Sequence, residues 1–188
     1  CSMTAWYVVR VRNAATKVIY MACLIAMVVP FQMEMYTLSK IANMLHMDNP
    51  WGIIIIYLGF GAGLAVFMFT GFVKSIPLEM EEAAYMEGAD VFKVFGKIIV
   101  PLCRPSLATV AIFSFLWSYN DLFVQKIMMR DPTRYPISTL LEQISSQYGT
   151  DFGLMAASVT IIVIPVMIVY VLLQKNIIKG LTAGAVKG

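Results

Sequence analysis

Long apolar runs alternate with short charged ones along this chain, and the runs are too continuous to be single faces of soluble helices. About 20 apolar residues cross roughly 30 Å of hydrocarbon at about 1.5 Å per residue, and four runs meet that requirement: 18–38, 51–73, 107–124 and 154–173. Each predicts a membrane-spanning helix. Residues 1–9 are apolar too, but they stop at Arg10 and Arg12 and are too short to span, so they read as the end of an earlier helix. The chain opens on Cys1 with no basic leader or cleavage pattern, which makes a missing N-terminal portion the expectation.

Between the second and third runs lies a polar island, 74–105, with helix signals of its own. Ser75 is placed to cap, Pro77 suits a first helical position, and Glu79, Glu81 and Glu82 favour the positive end of a helix dipole. Gly88 ends that helix, Asp90 caps a second one over 92–99, and Pro101 with Pro105 stops it before the next span. Ala83 and Ala84 give the first helix a low profile that fits a groove, with the Glu82 carboxylate at its rim. An amphipathic helix lying on the bilayer has the same charges and alanines, but Glu79, Glu81, Glu82 and Glu87 are repelled by anionic lipid, which favours a protein partner.

Composition agrees with a bilayer as solvent. The chain is 60% hydrophobic and 13% charged, with a mean hydropathy of +0.77. The net charge of +3 reads as topology and not as a nucleic-acid footprint, because the cations flank the spans and form no stripe. Arg10, Arg12, Lys17, Lys74, Lys93, Lys97, Arg104, Lys175, Lys179 and Lys187 fall on one side, against Lys40, Lys126, Arg130 and Arg134 on the other. By the positive-inside rule the larger set is cytosolic, which puts the C-terminus and the Glu82 loop inside the cell. Cys1, Cys23 and Cys103 have no metal-ligand spacing and read as inert buried thiols, and His46 reads as a solvated residue in the short loop 39–50. No catalytic group and no metal site is expected.

The polar island also carries a resemblance. Glu82-Ala83-Ala84, then Gly88, then Ile98-Ile99-Val100-Pro101 resembles the EAA signature of permease subunits of ABC importers, with Val100 where the family usually has Leu. Phe72-Val73-Lys74-Ser75-Ile76-Pro77, Trp117-Ser118-Tyr119-Asn120-Asp121, Gln147-Tyr148-Gly149-Thr150-Asp151 and the ending from Lys179-Gly180-Leu181 to Gly188 are similar to the carbohydrate-uptake branch, the maltose-type second permease.

The resemblance implies an all-α, polytopic transmembrane helical bundle of the type I importer permease fold. It would have four complete spans plus the end of an earlier one. The permease domain would cover 1–175, lacking its N-terminal part, with 74–105 as the cytosolic coupling loop and 176–188 as a cytosolic tail, disordered or touching the ATPase. It implies a multi-pass protein of the bacterial plasma membrane, half of a permease heterodimer, with membrane lipid around it. An extracellular or periplasmic sugar-binding protein and a cytosolic ATPase dimer would be its other partners. Glu82, Ala83, Ala84, Gly88, Asp90 and Pro101 are then the expected ATPase-coupling residues. No phosphate-binding loop is present, since Gly96-Lys97 lacks both the preceding glycine and the following hydroxyl. ATP and Mg are therefore expected on the partner ATPase, and no cofactor on this chain.

Polar residues within the apolar runs are candidates for a substrate pathway. They are Gln32 and Glu34 in the first run and Trp117, Asn120 and Asp121 in the third. Aromatic faces with amide and carboxylate groups suit a sugar. The simpler reading is an interfacial belt of Trp117 and Tyr119, with Asp121 in water and Glu34 bonded to a neighbouring helix. Gly59, Gly61, Gly63 and Gly71 would let a neighbouring helix approach the second run closely. In the loop 125–153, Thr139 and Glu142 form a capping-box pattern on a surface suited to a binding protein. Two other classes compete with the importer permease: a secondary transporter or channel driven by an ion gradient, and a membrane-anchored scaffold. Sparse intramembrane charge argues against the first, and the polar island is unexplained by the second.

Overall fold

Every regular element in the computed structural model is helical among the described residues, which are 1–128, 144 and 152–185, with side chains as far as 174. In chain order the helices are α1 (Ser2–Arg10), α2 (Ala14–Val28), α3 (Phe31–Met44), α4 (Pro50–Val73) and α5 (Glu79–Met86). Then come α6 (Val91–Val94), a π-helical turn (Phe95–Ile99), α7 (Val100–Leu102), α8 (Arg104–Asn120), α9 (Phe123–Met128) and α10 (Phe152–Ala185).

Two of these, α4 and residues Phe152–Gln174 of α10, are long and apolar enough to cross a membrane alone. The other two expected spans are broken. The run 18–38 is divided between α2 and α3, because Pro30 has no N–H for a helical ladder and pushes Val29 out of the helical region. The run 107–124 ends as a helix at Asn120, and the chain starts again at Phe123. The span count reaches four only if each broken pair, α2 with α3 and Val91–Leu102 with α8, serves as one crossing. At the C-terminus 176–185 is helical and continues α10. The capping-box pattern at Thr139 and Glu142 lies outside the described residues, as does 147–151.

The chain divides into two compact units, Cys1–Val28 with Phe60–Ile112 and Lys175–Gly188, and Val29–Gly59 with Phe113–Gln174. In the first, Ala5 and Trp6 of α1 pack with Ala65, Phe69 and Val73 of α4, Ile76, and Val94, Ile99 and Cys103. Half-buried Ala84 and Ala89 close on this cluster. The polar island is thus seated on the hydrophobic core of its unit. Among Gly59, Gly61, Gly63 and Gly71 of α4, only Gly63 serves a close approach: a Cβ there would stand 2.7 Å from the Cys23 carbonyl oxygen, whereas Gly59, Gly61 and Gly71 have open space. A close helix approach needs a small residue only at the crossing point, so the other three do not narrow anything.

Candidate functional site

The helix α5 starts with three acids in its first turn, Glu79, Glu81 and Glu82, and has no side-chain N-cap. Carboxylates near the positive end of the helix dipole supply that stabilisation in place of a cap. Ser75 faces the other way: its hydroxyl donates to the Phe72 carbonyl at 2.7 Å and so closes α4, and the helix begins at Glu79, beyond Pro77. The far end of α5 is a Schellman turn. Gly88 N–H donates to Tyr85 O at 3.0 Å and Ala89 N–H to Ala84 O at 3.0 Å, with Gly88 at φ +83°. A side chain at that φ is strained, so the turn favours glycine.

Two residues later Asp90 caps α6 by accepting from Lys93 N–H at 3.0 Å. The helix then widens into the π turn, where Val100 N–H reaches back to Phe95 O. The wide turn lies immediately before Pro101, which cannot donate and whose ring crowds the carbonyl four residues earlier. At Cys103 the chain bends by 70° into α8. Burial pushes the Cys103 thiol up to about 11, in keeping with an inert, core-packed sulfur.

Neighbouring glutamates on α5 have opposite environments. Glu81 is 2% exposed. Its Oε2 accepts from the Trp6 indole N–H at 3.0 Å, and its Oε1 from Arg10 Nε at 2.8 Å and Nη2 at 2.7 Å. Arg10 Nη2 also donates to the Ile76 carbonyl at 2.9 Å, and the Trp6 ring packs on Phe95 at 5.5 Å between centroids. Ala84, one turn on, lies on the same face and packs into the core. Glu82 and Ala83 face outward, followed by exposed Tyr85 and Met86 and, past the turn, by exposed Val91 and Phe92. Trp6, Arg10 and Glu81 were not among the expected site residues. The available signal was an arginine closing an apolar helix, a group that needs a partner.

A second cluster forms in the other unit. The Tyr57 hydroxyl donates to Asp121 Oδ2 at 2.7 Å, and the Tyr57 and Trp117 rings meet edge to face at 5.6 Å. Asp121 Oδ1 accepts a long bond from Val124 N–H at 3.4 Å at the start of α9, and buried Gln125 donates to Ser118 O at 3.0 Å. Asp121 is therefore half-buried and bonded within the fold, not solvated as the belt reading held, because the break after Asn120 turns its carboxyl towards Tyr57 and the start of α9. Tyr119 donates to Ile162 O at 2.9 Å, and exposed Asn120 returns its amide to Leu116 O at 2.8 Å. Gln32 and Glu34 are exposed on the first turn of α3, below Pro30. Tyr57 was missed because an isolated tyrosine in a 24-residue apolar helix carries no periodic signal. His46 is exposed and has φ 53°, ending α3 by the same Schellman pattern as Gly88, with Met47 N–H on Ala42 O at 2.7 Å. Among the described residues no group of three or more His, Cys, Asp or Glu could hold a metal ion.

Comparison with known proteins agrees with this architecture. Residues 2–183 match the family described as "Binding-protein-dependent transport system inner membrane component". The chain is 34% identical over 186 residues to the probable starch degradation products transport system permease protein AmyC of Thermoanaerobacterium thermosulfurigenes, covering 99% of this chain and 68% of that protein. It is 34% identical to the multiple sugar-binding transport system permease protein MsmG of Streptococcus mutans, covering 94% of this chain and 64% of that protein. It is 31% identical to the maltodextrin transport system permease protein MdxG of Bacillus subtilis, covering 95% and 65%. The chain thus spans about two thirds of the length of these relatives. Among solved structures, a chain of a bacterial ABC transporter involved in the import of the acidic polysaccharide alginate superposes with a TM-score of 0.76 at 22% identity, covering 93% of this chain and 66% of that one.

The chain belongs to the binding-protein-dependent transport inner-membrane family: a membrane-embedded permease component and not an enzyme. The ion-driven alternative is not favoured by that membership.

Proposed function

We propose that this permease is half of the translocation pathway of an ATP-driven sugar importer, and that α5 is the part a cytosolic ATPase moves. The observation that carries the reading is the two-sidedness of α5. Its inner face is fixed to α1 through Glu81, Arg10 and Trp6, while Glu82, Ala83, Tyr85 and Met86 are left outward as a small docking surface with a carboxylate on it. A force applied to that face is passed directly to α1 and α4 and not absorbed by a loose loop. Gly88, Asp90 and Pro101 set the turn, the cap and the bend that hold the helix at this angle.

ATP and Mg belong to the ATPase dimer in this reading, and closure of that dimer draws two such helices together. Taking a two-state pathway from 1:99 to 99:1 needs about 5.5 kcal/mol of differential binding. The sugar reading is supported by the relatives, whose names refer to starch degradation products, multiple sugars and maltodextrin. A sugar-binding protein delivers the cargo, and a second permease supplies the other half of the pathway. On this chain Trp117, Asn120 and Asp121, joined by Tyr57, are the polar and aromatic groups suited to a sugar ring, with Gln32 and Glu34 further candidates. The excess of basic residues on the side of the chain that carries α5 supports a cytosolic α5 and C-terminus, with lipid of the bacterial plasma membrane around the spans.

The test is Glu82→Lys in the complete transporter in membrane vesicles. Membrane level is expected to be unchanged, with binding-protein-stimulated ATP hydrolysis and sugar uptake both lost. Unaltered uptake by a stably inserted Glu82→Lys protein would sink the proposal.

A further inference from the structure

A cavity of about 830 Å³ opens in the first unit where α1, α2 and α4 meet, and its walls include Arg12, Asn13, Lys17, Tyr20, Thr70 and Lys74. Among the described residues no Asp or Glu lines it. Among the described residues the ion pair is Arg10 with Glu81, so Arg12, Lys17 and Lys74 bring three cations with no carboxylate bound to them. Lys74 Nζ is held 6.0 Å above the Tyr20 ring, on the cavity wall. Asn13 caps α2, its Oδ1 accepting from Thr16 N–H at 2.8 Å, so the positive end of a 15-residue helix also faces this space.

Thr70 is the independent observation. It is 1% exposed, and its hydroxyl has no hydrogen-bond partner among the described residues. Other helical hydroxyls return to the carbonyl four residues back, as Thr109 does to Pro105 O at 2.9 Å and Thr160 to Ala156 O at 2.7 Å. Thr70 does not, and a buried hydroxyl left unpaired is destabilising. A ligand oxygen in the cavity would satisfy it.

Depth selects the ligand. Lys74 directly follows Val73, the last residue of a helix able to span, which puts the cavity at the level of lipid headgroups. We infer that Arg12, Lys17, Lys74 and Thr70 form a binding site for a phosphate-bearing group, the cations neutralising it and the Thr70 hydroxyl donating to one of its oxygens. The inference needs only that α4 crosses the membrane, and it stands apart from the sugar reading.

The test uses the purified full chain in detergent. Retention of phosphatidylglycerol against phosphatidylcholine is measured by native mass spectrometry, and thermal unfolding is followed in inorganic phosphate against chloride at equal ionic strength. Phosphatidylglycerol is expected to be retained preferentially, and Lys17→Gln with Lys74→Gln to weaken that retention about 25-fold. Thr70→Val is expected to weaken it several-fold while leaving the unfolding temperature unchanged or higher, since it removes an unpaired hydroxyl without changing shape. A lipid effect without a phosphate effect identifies a headgroup as the source. Stabilisation by inorganic phosphate that competes with the lipid identifies the free anion. Retention equal for both lipids with no phosphate effect, or unaltered in the double variant, overturns the site.

Discussion

The indole N–H of Trp6 donates to Glu81 Oε2 at 3.0 Å across 75 residues of sequence, and this contact ties the first helix to the one that carries Glu82-Ala83-Ala84. Arg10 completes it on the other carboxylate oxygen at 2.7 Å, with the Glu81 side chain 3% exposed and that of Arg10 20%. Removing one partner of such a pair leaves the other charge buried alone. Glu81→Ala is expected to cost about 3 kcal/mol of stability, and exposed Glu82→Ala less than about 0.5 kcal/mol. Thermal unfolding of the two variants in the same detergent checks the contrast. Equal small losses would show that the buried contact is not formed.

Gly88 and His46 stand at equivalent positions of two Schellman turns, at φ +83° and φ 53°. With open space around Gly88, the cost of Gly88→Ala is the backbone conformation alone, about 1 kcal/mol, and His46→Gly should gain about 0.5 kcal/mol or more by relieving it. Opposite shifts in unfolding temperature are the expected result, and shifts of the same sign would contradict it.

Gly63 and Gly59 differ in the same helix for a steric reason. Gly63→Ala forces a Cβ against the Cys23 carbonyl oxygen at 2.7 Å and is expected to destabilise by about 1–3 kcal/mol. Gly59→Ala meets nothing within 4 Å and should be neutral or slightly stabilising, since alanine is the better helix former. Comparing the unfolding midpoints of the two variants decides the matter.

Tyr57 and Asp121 share one hydrogen bond of 2.7 Å, so their deletions are not independent. Tyr57→Phe is expected to cost about 1 kcal/mol, and Asp121→Ala more, because Val124 N–H also loses its acceptor. The double variant should cost less than the sum by roughly the worth of the shared bond. A double-mutant cycle on stability measures it, and strict additivity would show that the two groups do not interact.

Much of the coupling loop was legible along the chain because its signals are local. Gly88 ends α5 and Asp90 caps α6 through bonds to residues no more than five positions away, and such bonds are written in short stretches of sequence. Pro30 was equally legible and was outweighed by the apolar composition around it, so a run long enough to span became two helices. Ser75 was read as opening α5, whereas the nearer Phe72 carbonyl takes its hydroxyl.

Sequence by itself determined the solvent, the helical class, the polar island and the family signature, since hydropathy and short-range spacing depend on neighbours along the chain. Only the tertiary structure decided which of two adjacent glutamates is buried, because Glu81 owes its place to Trp6 and Arg10, which reach it from α1. It alone decided that Gly63, and not Gly59, Gly61 or Gly71, is the crossing point and that Asp121 meets Tyr57. These pairings join residues dozens of positions apart, and no local pattern records which distant side chain will arrive.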